Sequence, residues 1–197
     1  ELIYIIGRKG DGKSVLMLNM AVNMWKAGKN VLLFSLEMDK EDYERRFAAK
    51  AAGISSNGIK RGMLEEWEEA RFKKYLVNIS KDLTPEGNQA GTFYTVDVPS
   101  KCSPAFVDST IDITQKKLGI KFDVVFVDYA GIMVPNIFVP ETRHQQGQIA
   151  LDLKRIARNR SCVVVSAAQM NRKGKNDTND KNGRADTDHI AESDQVA

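Results

Sequence analysis

The chain has few of the residues that build disulfide frameworks or thiolate metal sites. Its 197 residues include 2 cysteines, Cys102 and Cys162, and 2 histidines, His144 and His189. A disulfide framework or a structural zinc site needs more cysteines at closer spacing, so both classes are excluded. Two isolated cysteines suit a reducing compartment, and we therefore expect a cytoplasmic protein.

Long hydrophobic runs and a strong charge imbalance are also missing. No apolar stretch approaches the ~18 residues that a transmembrane helix needs, and no signal-peptide pattern opens the chain, so we expect no membrane association. The formal net charge is only +3, which does not by itself indicate a nucleic-acid partner. The length is sufficient for one α/β core, and we expect residues 1–197 to form a single domain.

The most informative segment is residues 7–14, with the sequence GRKGDGKS. It fits the pattern G-x-x-x-x-G-K-[ST], follows an apolar strand-like run and precedes a predicted helix over residues 14–27. In such a loop, backbone N–H groups at a helix N-terminus bind phosphate. The lysine contacts the β- and γ-phosphates and the hydroxyl ligates Mg²⁺, roles that fall here to Lys13 and Ser14. The predicted nucleotide-binding residues are Gly7, Arg8, Lys9, Gly10, Asp11, Gly12, Lys13, Ser14 and Val15.

Apolar runs and helix signals alternate along the rest of the chain. Further strands are predicted over residues 31–36, 92–98, 124–127 and 162–166, and further helices over residues 41–52, 64–79, 103–118 and 142–159. This alternation predicts an α/β fold with a mostly parallel sheet and helices on both of its faces.

Three polar residues follow predicted strands at the edge where a parallel sheet binds ligands. Asp128 can hold Mg²⁺ beside Ser14, although an acid there can also cap a turn. Glu37 can orient or deprotonate the attacking water, but it also lies near a helix start, where acids are favoured in any case. Gln169 can hydrogen-bond the γ-phosphate as a sensor, or it can be a surface residue.

The segment after Gln169 concentrates the positive charge. Residues 171–184 contain five basic and two acidic residues, a net charge of +3 that equals the excess of the whole chain. A basic loop beside a phosphate sensor suits contact with a nucleic-acid backbone, and Arg172, Lys173 and Lys175 are the predicted DNA-binding residues. A solvated loop without a ligand is the alternative.

These motifs resemble the RecA-like motor domain of the DnaB-family replicative helicases, including phage-type ones. The resembling segments are FSLEM around Glu37, VDY at Asp128 and VVVSAAQMNR ending beyond Gln169. The resemblance implies a P-loop NTPase that hydrolyses ATP with Mg²⁺ at the subunit interfaces of a homo-hexamer. Lys13, Glu37 and Gln169 would then be catalytic, and single-stranded DNA would pass through the ring.

The same resemblance sets further expectations. A primase or a helicase loader would be a partner, in a bacterial or phage-infected cytoplasm. The chain would be a fragment that lacks an N-terminal domain and the last strands of the motor, where the family carries its arginine finger. Two alternatives stay open at this point: a recombinase-like ATPase that forms filaments on DNA, and a regulatory ATP-binding module that acts on proteins.

Overall fold

One sheet of five strands organises the part of the chain that the computed structural model describes, residues 1–98, 101–137 and 140–169. The strands are β1 (Leu2–Gly7), β2 (Val31–Ser35), β3 (Phe93–Asp97), β4 (Val124–Asp128) and β5 (Val163–Gln169). Their order across the sheet is β1-β5-β4-β2-β3, and all four pairings are parallel. The α/β prediction is confirmed, with β4 at the centre of the sheet between β5 and β2.

Six α-helices and one short 3-10 turn connect these strands within the described residues. They are α1 (Lys13–Lys26), α2 (Lys40–Ala52), α3 (Ser56–Arg61), α4 (Glu66–Ile79), α5 (Pro104–Leu118) and α6 (Thr142–Arg160), with the turn at Ala130–Ile132. Helix α5 illustrates how local sequence sets the boundaries: the Ser103 hydroxyl accepts a hydrogen bond from the Phe106 N–H, and Gly119 ends the helix at φ 66°. A serine cap and a left-handed glycine are strong start and stop signals.

The two faces of the sheet bury separate hydrophobic cores. In β2, Leu32 and Phe34 belong to the core that includes residues of α5 and α6, whereas Leu33 belongs to the core that includes residues of α1, α2 and α4. All five β2 residues are buried, because helices cover both faces of the central strands. The helices therefore hold β2 and β4 in place from both sides, and these strands end at the candidate site.

Helix α3 and the end of β5 differ most from the sequence prediction. Helix α3 was not predicted, because its six residues are too few for a hydrophobic period to show; its cap, Ser55, accepts a hydrogen bond from Gly58 N–H. Strand β5 continues to Gln169, three residues beyond its predicted end. Ala167 and Ala168 are small but buried, and they pair with β1 as far as Gln169.

Within the described residues, no helix combines the length and hydrophobicity that a membrane crossing requires.

Candidate nucleotide-binding and catalytic site

The register of the sheet brings the predicted site residues to one edge. Gly7 lies opposite Gln169 in the β1–β5 pair, and Ser35 lies opposite Asp128 in the β2–β4 pair. Glu37 follows Ser35 by two residues, so it lies at the same edge. Because β5 and β4 are neighbours, the ends of four adjacent strands border one surface. Ligands of parallel α/β sheets bind at this edge.

The loop from β1 to α1 has the backbone conformation that a phosphate cradle needs. Gly10 and Gly12 have φ values of 89° and 81°, and a Cβ at either glycine would meet no described atom within 4 Å. The first hydrogen bond of the helix runs from Leu16 N–H to Gly12 carbonyl at 2.9 Å. The N–H groups of Lys13, Ser14 and Val15 precede that bond, as the first N–H groups of any helix do, and such groups bind anions.

Side chains of the loop are hydrogen-bonded to the loop itself. Lys13 Nζ donates to the carbonyl oxygens of Gly7 at 3.1 Å and Arg8 at 2.7 Å. The Asp11 carboxylate accepts a 2.7 Å hydrogen bond from the Arg8 N–H. One N–H group of the cradle is therefore taken up by an acid of the chain, and the half-buried lysine is held close to the loop.

Ser14 and Asp128 form the donor set expected for a magnesium ion. Asp128 is buried, with 2% of its surface exposed, and the Ser14 hydroxyl is close enough to its carboxyl group to lower its pKa. The pKa of Asp128 is raised: burial is the largest cause, the neighbouring Ser14 hydroxyl lowers it, the charge of Glu37 raises it and that of Lys13 lowers it. The described residues contain no cluster of three or more histidine, cysteine or acidic residues that could hold a metal. Mg²⁺ commonly uses one or two protein ligands together with phosphate oxygens, so a hydroxyl and a carboxylate fit it.

Glu37 is exposed and close enough to the buried acid to affect it. Its charge contributes to the raised pKa values of both Asp128 and Tyr129. The segment that carries it is fixed to β4, because Leu36 N–H donates to the Asp128 carbonyl at 2.9 Å. An exposed carboxylate held beside a buried metal-ligand candidate can reach a water molecule that attacks bound phosphate.

Gln169 ends β5 and is half-buried. Its register partner is Gly7, the first residue of the phosphate loop. The β1–β5 pair therefore places Gln169, the predicted γ-phosphate sensor, beside the phosphate loop. The predicted DNA-binding residues Arg172, Lys173 and Lys175 lie outside the described residues.

Two residues at this edge were not predicted from the sequence. The Tyr43 hydroxyl, on α2, donates a hydrogen bond to Asp128 Oδ2. The Ser166 hydroxyl donates to the Val127 carbonyl at 2.7 Å and accepts from the Ala130 N–H at 3.0 Å, so it bonds the chain on both sides of Asp128. The sequence carries no local signal for either contact, since Tyr43 is 85 positions from Asp128 and Ser166 is one small residue in an apolar strand.

A parallel sheet whose first strand leads through a glycine-rich loop into a helix, with an acid ending an inner strand, defines a P-loop nucleotide-binding fold. A family model described as the DnaB-like helicase C terminal domain matches residues 1–196. The chain belongs to this family.

Relatives and solved structures agree with that family. A probable replicative DNA helicase of Trieres chinensis is 28% identical over 180 residues, which cover 89% of this chain and 37% of the relative. The replicative DNA helicase DnaB of Treponema pallidum (strain Nichols) is 29% identical over 180 residues, covering 87% of this chain and 37% of that protein. The chain thus spans little more than a third of the length of these curated relatives.

Two solved structures share the fold. One, described as an ATPase domain, has a TM-score of 0.77 and 26% identity, covering 98% of this chain and 64% of that one. The other, described as a DnaB-like replicative helicase and its interactions with primase, has a TM-score of 0.77 and 25% identity, covering 100% of this chain and 45% of that one. The RecA-like α/β prediction is confirmed.

Proposed function

We propose that this chain is the ATP-hydrolysing motor domain of a replicative DNA helicase. The observation that carries the proposal is the common edge at which the phosphate loop, Glu37, Asp128 and Gln169 meet, in a chain of the DnaB-like family. The domain would be one part of a longer protein, and it would couple ATP hydrolysis to movement along single-stranded DNA.

Binding of the triphosphate is assigned to the loop and the first turn of α1. Backbone N–H groups from Gly7 to Val15 would surround the phosphates, with Lys13 as the cationic contact. Lys9 and Arg8 add positive charge to the same exposed loop. Ser14 and Asp128 would hold Mg²⁺, which when bound neutralises charge that develops on the phosphate oxygens.

Catalysis is assigned to residues around that cradle. Glu37 would orient the attacking water and accept its proton, for which an exposed carboxylate at the site edge is suited. Gln169 would hydrogen-bond the γ-phosphate and transmit its presence to the following segment. In that segment Arg172, Lys173 and Lys175 would bind the DNA backbone, a contact that supplies affinity without sequence preference.

The assembly and partners are proposed from the family. We infer a homo-hexamer with ATP at the subunit interfaces, acting in the cytoplasm of a bacterial or phage-infected cell. Primase is a candidate partner because a structural neighbour is described with its interactions with primase, and a helicase loader is a second candidate.

The test is the ATPase rate of the protein at its natural length, measured with and without single-stranded DNA. We expect DNA to raise the rate severalfold, and Glu37→Gln to retain nucleotide binding while losing hydrolysis. Glu41→Gln is the matched control, because Glu41 is an exposed acid in the first turn of α2. An ATPase rate that does not change when DNA is added would contradict the helicase proposal and favour a regulatory ATP-binding module. Open filaments on DNA in place of closed rings would favour a recombinase.

A further inference from the structure

Tyr43 is a buried phenol with only 1% of its surface exposed. It lies on α2, one turn after the helix begins, and its hydroxyl donates a hydrogen bond to Asp128 Oδ2. The contact joins a helix that covers the sheet to the last residue of an inner strand. A buried hydroxyl and a buried carboxylate that bond each other satisfy two groups that would otherwise be costly to bury.

The hydrogen bond restrains the direction of the carboxylate. A carboxylate can rotate about its Cβ–Cγ bond, and a phenol held by the surrounding core fixes one of its two oxygens. The Ser14 hydroxyl is close enough to the same carboxyl group to lower its pKa. The Asp128 carboxyl group therefore lies near a side chain of α1 and is hydrogen-bonded to a side chain of α2.

The same contact also bears on the segment that carries Glu37. Leu36, just before it, donates its N–H to the Asp128 carbonyl at 2.9 Å. After it, α2 begins at Lys40 and brings Tyr43 to the Asp128 side chain. The segment with Glu37 is thus bonded to one residue of β4 at both of its ends.

We propose that Tyr43 is a positioning residue that orients the Asp128 carboxylate toward a divalent cation and keeps Glu37 in register with it. The inference rests on the proposed function, since it assumes that Asp128 serves a metal–nucleotide complex. Outer groups that orient a metal ligand typically change metal affinity or activity about 10- to 100-fold when they are removed.

The experiment compares Tyr43→Phe with Tyr75→Phe in the protein at its natural length. Both substitutions remove one hydroxyl from a buried tyrosine of the same hydrophobic core, and phenylalanine retains the ring in each. Tyr75 lies on α4, where it packs near Trp25. Mn²⁺ binding in the presence of ATP, followed by electron paramagnetic resonance, reports the metal site without relying on turnover. Four further quantities are measured for each variant: the Mg²⁺ concentration at half-maximal ATPase rate, kcat, the KM for ATP and the urea midpoint of unfolding.

We expect Tyr43→Phe to weaken Mn²⁺ binding and raise the half-maximal Mg²⁺ concentration by about tenfold. The kcat should fall more than the KM for ATP rises, and Tyr75→Phe should match wild type in every metal measurement. Unchanged Mn²⁺ affinity in Tyr43→Phe, beside a wild type that binds Mn²⁺–ATP, would overturn the positioning role and leave the proposed function standing. If both variants lose metal binding to the same extent, in proportion to the fall in their urea midpoints, the positioning role is overturned and the effect is attributed to packing alone. A wild type without ATP-dependent Mn²⁺ binding would overturn both proposals.

Discussion

The Arg8 backbone N–H donates a 2.7 Å hydrogen bond to the carboxylate of Asp11, inside the loop that is proposed to bind phosphate. The Asp11 Oδ2 atom also lies 3.3 Å from the position that a Cβ on Gly7 would occupy. The loop therefore holds an acid of its own over the first glycine. A bound phosphate would therefore be repelled by the charge of Asp11, and it would find the Arg8 N–H already hydrogen-bonded to that carboxylate.

Replacing Asp11 with asparagine should tighten nucleotide binding. The substitution removes the charge that opposes the triphosphate, and an exposed charge interaction of about 1 kcal/mol corresponds to roughly fivefold in affinity. The gain should shrink as salt is raised, because salt screens exposed charges. Titration with a fluorescent ATP analogue at two salt concentrations measures both effects.

Asp82→Asn is the matched control for that charge change. Asp82 is an exposed residue with φ 55°, in the loop that precedes β3 and so away from the carboxyl edge of the sheet. Asparagine tolerates that backbone conformation. An equal gain in both variants would attribute the effect to net charge and not to the Asp11–Arg8 contact.

Replacing Lys13 with alanine should weaken nucleotide binding and abolish hydrolysis. A charge-assisted hydrogen bond contributes about 1.5–3 kcal/mol, which corresponds to roughly 10- to 100-fold in affinity. Equilibrium binding and ATPase assays measure the two effects, with Lys50→Ala, an exposed lysine at the end of α2, as the control. Unchanged turnover in the Lys13 variant would refute the assigned role of the loop.

Replacing Ser166 with alanine should destabilise the fold. The buried Ala130 N–H and the Val127 carbonyl would both lose their hydroxyl partner, and an unsatisfied buried group costs about 1–3 kcal/mol. Urea denaturation measures the free energy of unfolding. Ser109→Ala, which removes one exposed hydrogen bond within α5, should change it by about 0.5 kcal/mol or less. Similar losses in the two variants would show that the Ser166 contacts do not stabilise this turn beyond an ordinary surface bond.

Neutralising Arg172, Lys173 and Lys175 together should weaken single-stranded DNA binding and spare nucleotide affinity. Each lysine or arginine that contacts a phosphate adds about 0.7 to the salt dependence of binding to a single strand, so the slope should become shallower as well. Fluorescence anisotropy over a salt series gives both numbers. DNA affinity that does not change would place the contact on another segment.

The sequence predicted the architecture well because hydrophobic runs and glycines mark it locally. The run at Val31–Ser35 is buried from end to end, as its continuous hydrophobicity predicts. The phosphate-loop pattern likewise identified the edge of the sheet at which the site lies. Because parallel strands end at a common edge, Glu37, Asp128 and Gln169 could be grouped from their positions after predicted strands alone.

The contacts between distant residues could not be predicted in this way. No period in the sequence connects Tyr43 with Asp128, because their pairing depends on how α2 packs over β4. The Asp11–Arg8 bond depends on the loop backbone, which two left-handed glycines set. The end of β5 was misplaced because alanines carry a weak strand signal, although their register with β1 holds them in the sheet.

The position of β1 has a consequence for how the domain is synthesised. Among the described residues β1 pairs with β5 alone, and the Glu1 backbone nitrogen donates to the Cys162 carbonyl across 161 positions of sequence. Of the five strands, β1 leaves the ribosome first and must therefore wait for β5, the last of them, before it can join the sheet. Such long-range pairing is slow to form. The phosphate loop at the end of β1 would therefore be held at the edge of this sheet only late in synthesis, once β5 has left the exit tunnel.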